Sequence, residues 1–146
     1  MPGNSPGLVH VGLLFLRLGI GIMFMLHGYP KLMEGTVRWE ALGHNMTIFH
    51  ITFTPVAWGF MSCFAETVGG FALAVGILVR PFSFLLFCNM IVATGVHLTS
   101  APPMNSFNMV SHPIELGIVA LALMVAGGGP YSLGHIVMPL RDKWYE

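Results

Sequence analysis

Four stretches of the chain are apolar enough and long enough to be read as helices crossing a bilayer, and the polar residues fall mainly between them. The first covers residues 8–26, about 19 residues, which suffices for ~30 Å of hydrocarbon. His27-Gly28-Tyr29-Pro30-Lys31 is expected to end it, because Pro30 and the glycine oppose helix continuation. Residues 35–54 mix polarities: Arg38, Glu40, His44 and His50 alternate with Trp39, Ile48, Phe49 and Ile51. This pattern predicts a loop with a short interfacial helix, since aromatic side chains suit the headgroup layer. The second span is predicted over 55–78, with Pro55 in its first turn. Val79-Arg80-Pro81 is so short a turn that the third span, 82–98, must run antiparallel beside the second. The fourth covers 114–126, short for a full crossing, and residues 131–140 could continue it along or into the interface. The expected fold is an all-α integral membrane four-helix bundle, a single domain over residues 1–146, with no internal repeat.

Composition supports this picture. Of 146 residues, 55% are hydrophobic and 8% are charged, against about 25% charged in a soluble domain. Six basic and six acidic side chains cannot clothe a soluble surface. Net charge is zero, which gives no basic stripe for nucleic acid. No Lys or Arg precedes the first span, so it is expected to be a retained span and not a signal peptide. The termini and the Arg80 turn share one side, with Arg80, Arg141 and Lys143; Lys31 and Arg38 lie on the other. This balance favours cytoplasmic termini.

Polar residues inside the spans are the candidate chemistry. Counting 1.5 Å per residue from the loop-side ends puts Arg17 at about 15 Å, Glu66 at about 16 Å and Asn89 at about 12 Å. All three then lie near mid-membrane, with His27, His97, His112 and Glu115 near the loop-side surface. The plainer reading of Arg17 and Glu66 is an ion pair holding two helices in register. The sharper one adds a polar pocket, because a charge at mid-membrane is costly and defaults to a functional role. Gly59, Ser62, Glu66 and Gly70 share a helical face, where small residues let another helix or a flat ring approach. His27 and His97, at equal depth, could clamp a haem; the pair is disfavoured because no spacing rule selects it. Cys63 and Cys88 form no CxxC or zinc-type set, and no metal site is expected. They are read as small apolar fillers, with a redox disulfide as the alternative. The eleven methionines read as packing residues, a copper path being the alternative.

The order of these pieces is familiar: Leu16-Arg17-Leu18, His27-Gly28 with Lys31-Leu32, Glu66 with Gly69-Gly70, Gly76-Ile77-Leu78 with Arg80, Asn89-Met90-Ile91-Val92-Ala93, His97 and Gly129-Pro130-Tyr131-Ser132-Leu133. Together they resemble the DoxX family from about residue 10 to 135. The resemblance implies a four-helix protein of the bacterial inner membrane. It also implies membrane redox chemistry linked to quinone, since the wider group includes a small membrane subunit of a thiosulfate:quinone oxidoreductase. In that reading Glu66, His97 and Arg17 are catalytic. Arg17 or Asn89 would donate to a quinone carbonyl, Phe24 and Met90 would flank the ring, and His27 and Glu115 would form a proton exit. Electrons would come from a partner subunit or a small reductant, as no haem, flavin or iron–sulfur motif is present. A homo-oligomer is open. The competing expectations are a non-catalytic assembly factor for a redox enzyme and a small proton-coupled transporter.

Overall fold

The computed structural model describes residues 6–100 and 106–137. Among them there is no strand, and four helices are long and apolar enough to cross a membrane. Helix α1 spans Pro6–Met33. A short helix, α2, follows over Thr36–Gly43 and leads into a 3-10 turn at His44–Phe49. The second crossing comprises α3 (Pro55–Phe64), a π-helical segment (Ala65–Gly69) and α4 (Gly70–Val75). Helices α5 (Val79–Ser100) and α6 (Ser106–Ala126) complete the bundle, and a short α7 (Leu133–Val137) follows.

The boundaries correct the sequence reading in three places. Helix α1 does not stop at His27; Pro30 lies within it, and the helix runs on to Met33. Proline costs most where it removes an interior hydrogen bond, and here it sits in the last turn. The turn between the second and third crossings is Gly76–Leu78. Pro81 occupies the first turn of α5, where its missing N–H is harmless. Helix α6 begins at Ser106, well before Pro113, so it is a full crossing without residues 131–140. Of those, 131–137 fold against the turn after α4: the Gly134 amide donates to the Gly76 carbonyl at 3.0 Å. Residues 138–140 lie outside the described part.

Glycines set how the helices meet. A Cβ on Gly28 would strike Glu66 and Thr67, and one on Gly21 would strike the backbone of Gly70 and Ala74. Helix α1 therefore lies backbone to backbone, antiparallel, against the π segment and α4. Helix α2 is the short helix expected in the first loop, and it packs lengthwise on α3. Gly59 meets the Trp39 carbonyl and Gly43 meets the Pro55 carbonyl, each too closely for a Cβ. Rising residue numbers in α2 thus match falling ones in α3, so α2 prolongs the direction of α1 beyond a break at Gly35 (φ 79°). The 3-10 turn crosses to α5, where Ile48 abuts Gly95. Phe24, Leu73, Leu86, Met90, Ala120 and Leu123 form the buried apolar core shared by the four crossings.

The four-crossing arrangement predicts a labelling pattern. In a background lacking Cys63 and Cys88, cysteines at the exposed positions Phe53 and Phe107 should react with an impermeant maleimide from one side. Those at Leu78 and Leu133 should react from the other. Labelling of Phe53→Cys and Leu78→Cys from the same side would remove the arrangement.

Candidate functional site

Glu66 is the centre of the polar interior. It sits in the π segment Ala65–Gly69, where the wider helical turn changes the direction in which side chains leave the helix. Such segments occur often at functional positions. The carboxylate is buried, with a side-chain exposure of 7%, and both its oxygens are engaged. Lys31 Nζ donates to Oε2 at 2.6 Å, and Asn89 Nδ2 donates to Oε1 at 3.0 Å. Ser62 Oγ donates to Asn89 Oδ1 at 2.8 Å. The carboxylate fixes the amide: it only accepts, so the NH2 group must face Glu66, and the amide oxygen is left to accept from Ser62. A chain of four side chains thus ties α1, α3, the π segment and α5 together.

These residues form the floor of a cavity of about 500 Å3 between α3 and α5. Its walls are mainly apolar, including Met61, Leu85, Cys88, Val92 and Val96. Helix α2 and the 3-10 turn close one flank through Arg38, Leu42, Asn45 and Met46. Met61 is exposed a third of the way along the Pro55–Val75 crossing, so the cavity is open sideways toward the lipid. His97 lines the cavity too and is exposed, eight residues or about 12 Å along α5 from Asn89. Arg38 forms a further, exposed ion pair with Glu34 at 3.5 Å.

Of the residues singled out from sequence, Glu66, Asn89 and His97 are brought to this cavity. Arg17 is not. The expected Arg17–Glu66 pair is replaced by Lys31–Glu66. Arg17 is 1% exposed and lies at the opposite end of the bundle, where its Nη2 donates to the Tyr131 carbonyl at 2.9 Å. Among the described residues its Nε and Nη1 have no hydrogen-bond partner. Nη1 occupies the space that a Cβ on Gly76 would need; with φ at 80°, that position favours glycine twice over. The error came from register. Depth counted from His27 placed that residue level with Pro55, whereas the neighbouring Gly28 faces Glu66 and Thr67, eleven and twelve residues farther along. That offset is about 16–18 Å.

Phe24 and Met90 belong to the apolar core and do not line the polar cavity. Met90 instead borders a separate groove of about 240 Å3 between α5 and α6. The His27 ring lies 6.2 Å from His112, and its Nδ1 donates to the Met23 carbonyl at 2.9 Å. Neither histidine lines the cavity, and Glu115, exposed on α6, does not line it either. His97 and His27 therefore have different surroundings. Cys63 and Cys88 are both free; Cys88 lines the cavity, while Cys63 is fully buried and does not.

Lys31 and Ser62 are the participants that sequence reasoning did not assign to the site. Ser62 was legible as a small residue on the Glu66 face. Lys31 looked like a residue beyond a helix end, and only continuation of α1 through Pro30 turns it inward.

The matched region in comparisons with known proteins contains this whole constellation. A family model described as DoxX matches residues 12–99. No curated protein and no solved structure matches the chain. Lys31, Ser62, Glu66, Asn89 and His97 all fall inside the match, which covers more than half of the sequence and reaches from α1 to the end of α5. With four crossings and this match, the chain is a multi-pass membrane protein that belongs to the DoxX family.

Proposed function

We propose that the protein is the membrane component of a quinone-linked oxidoreductase system, with the cavity between α3 and α5 holding the quinone head. The observation that carries this reading is the cavity's division into a polar floor and apolar walls, open toward lipid. Such a space fits an amphiphile with a hydrogen-bonding ring and a long apolar tail. On this reading the Lys31 ammonium and the Asn89 amide donate to a ring carbonyl, and Glu66 holds both in place. Protons pass between the ring and water by way of His97 at the open end, since an imidazole can take up a proton on one nitrogen and release one from the other. A partner subunit or a small reductant supplies electrons.

The bacterial cytoplasmic membrane, with both termini inside, is part of the proposal. Lys31 is committed to Glu66, which leaves Arg38 as the basic residue of the loop-side flank. Arg17 and Arg80 both lie toward the opposite end, next to the turn after α4. Adding Arg141 and Lys143 from the sequence strengthens the basic bias of that side.

The test is quinone reduction in proteoliposomes, with a chemical reductant or the electron-donating partner supplied, between pH 5 and 8. Asn89→Ala removes one donor and should weaken quinone binding by about three- to tenfold. His97→Gln keeps hydrogen bonding but cannot titrate, so it should slow turnover and flatten its pH dependence. Unchanged turnover and pH profile in both folded variants would leave the cavity as scaffold. The assembly-partner reading would then take its place.

A further inference from the structure

Outside the cavity, the structure brings two histidines together where α1 meets α6. The rings of His27 and His112 lie with centroids 6.2 Å apart and planes tilted by 42°. Both side chains are exposed, and neither lines the cavity. A carbonyl only accepts, so the bond from His27 to the Met23 carbonyl puts a proton on Nδ1 and leaves the lone pair of the neutral ring on Nε2. Metal-binding histidines are commonly held in this way, by a bond from the nitrogen that does not meet the metal. His112 makes no hydrogen bond among the described residues, so its ring can turn a nitrogen toward the same point.

We infer that His27 and His112 bind one monovalent copper ion between them. Metal–imidazole bonds of about 2.0 Å put two ring centres about 6.3 Å apart when the nitrogens face each other across the ion, and about 5.1 Å apart at a tetrahedral angle. The observed separation matches the linear case. The tilt is permitted, because rotating either ring about that line leaves both bonds intact. Monovalent copper accepts two nitrogens in line, whereas protein-bound zinc takes four ligands around a tetrahedron. Among the described residues no third His, Cys, Asp or Glu completes a metal-binding set, which argues against zinc. The neighbours on the same helical faces are thioethers. Met23 lies four residues before His27, Met109 lies three before His112, and both are exposed. Soft sulfur donors beside an imidazole pair favour monovalent copper.

The experiment is competition for copper(I) with the chromogenic chelator bicinchoninate, under anaerobic reducing conditions, with the protein in nanodiscs. Cys63→Ala and Cys88→Ala are built in, because thiolates would compete for the ion. One equivalent of copper should bind. His27→Ala and His112→Ala should each weaken binding by at least about tenfold, while His44→Ala should leave it unchanged. X-ray absorption of the copper-loaded protein tests the ligands without altering either histidine, and imidazole nitrogens should appear around the ion. No copper bound, full affinity retained in both histidine variants, a shell of sulfur alone, or tighter binding of zinc(II) than of copper(I) would each overturn the inference.

Discussion

Replacing Lys31 with leucine is expected to destabilise the folded protein by about 2–4 kcal/mol. Breaking a buried pair on one side leaves a charge without its partner, and typical losses are about 3–5 kcal/mol. The partial exposure of Lys31 places this case toward the lower end. Glu66→Leu should cost a similar amount, because it strands the ammonium and leaves the Asn89 amide with one fewer acceptor. The double substitution should recover much of the loss. Equilibrium unfolding in mixed micelles gives all four corners of the cycle, and a coupling energy of at least about 1.5 kcal/mol is expected between contacting members of one network. Arg17→Leu provides the contrast. Arg17 shares no partner with Glu66, so the Arg17 and Glu66 effects should add. Coupling between Arg17 and Glu66, with none between Lys31 and Glu66, would contradict the register of α1.

Gly59→Ala should be the most damaging exchange of a single hydrogen for a methyl group in α3. The new Cβ would collide with the Trp39 carbonyl, which is backbone and cannot yield by rotating a side chain. Helix α2 must move away from α3, and its displacement carries Arg38 and Leu42 off the flank of the cavity. Overpacking generally costs about 1–3 kcal/mol, and the backbone contact places this substitution at the top of that range. Gly19→Ala is the control. A Cβ there meets nothing, and alanine is favoured over glycine inside a helix by up to about 1 kcal/mol. Unfolding measurements should therefore show opposite signs for the two. A neutral Gly59→Ala would mean that α2 does not rest on α3.

What the sequence revealed and what it concealed follow from the physics of each signal. Lipid imposes long apolar runs on any crossing, so the four spans could be read from hydropathy. Glu66, Asn89 and His97 were legible because a polar residue inside such a run stands out against it. The Glu66 partner was not legible. It depended on how far α1 slides along the second crossing, and Gly21 and Gly28 decide that through close approach to Gly70 and Thr67. Hydropathy carries no information about sliding, since a glycine contact looks the same at any depth. Pro30 misled in the same way. Its effect depends on where the last turn falls, and Glu34 still closes a backbone bond to the Pro30 carbonyl at 3.1 Å. Phe24 and Met90 looked like ring-flanking residues, yet apolar side chains at those positions serve the shared core equally well.

The π segment Ala65–Gly69 works as a ruler as well as a mount for Glu66. Upstream, Gly59 is committed to α2; downstream, Gly70 is committed to α1. Deleting one residue between them would let the helix return to regular α geometry with its backbone hydrogen bonds intact. The two halves would face nearly as before, because the wide turn absorbs about one residue more than an α turn does. Both glycine contacts would survive, while the direction in which Glu66 leaves the helix would change. A single-residue deletion within the segment is accordingly expected to keep α1 and α2 packed on the second crossing and to break the side-chain chain from Lys31 to Asn89.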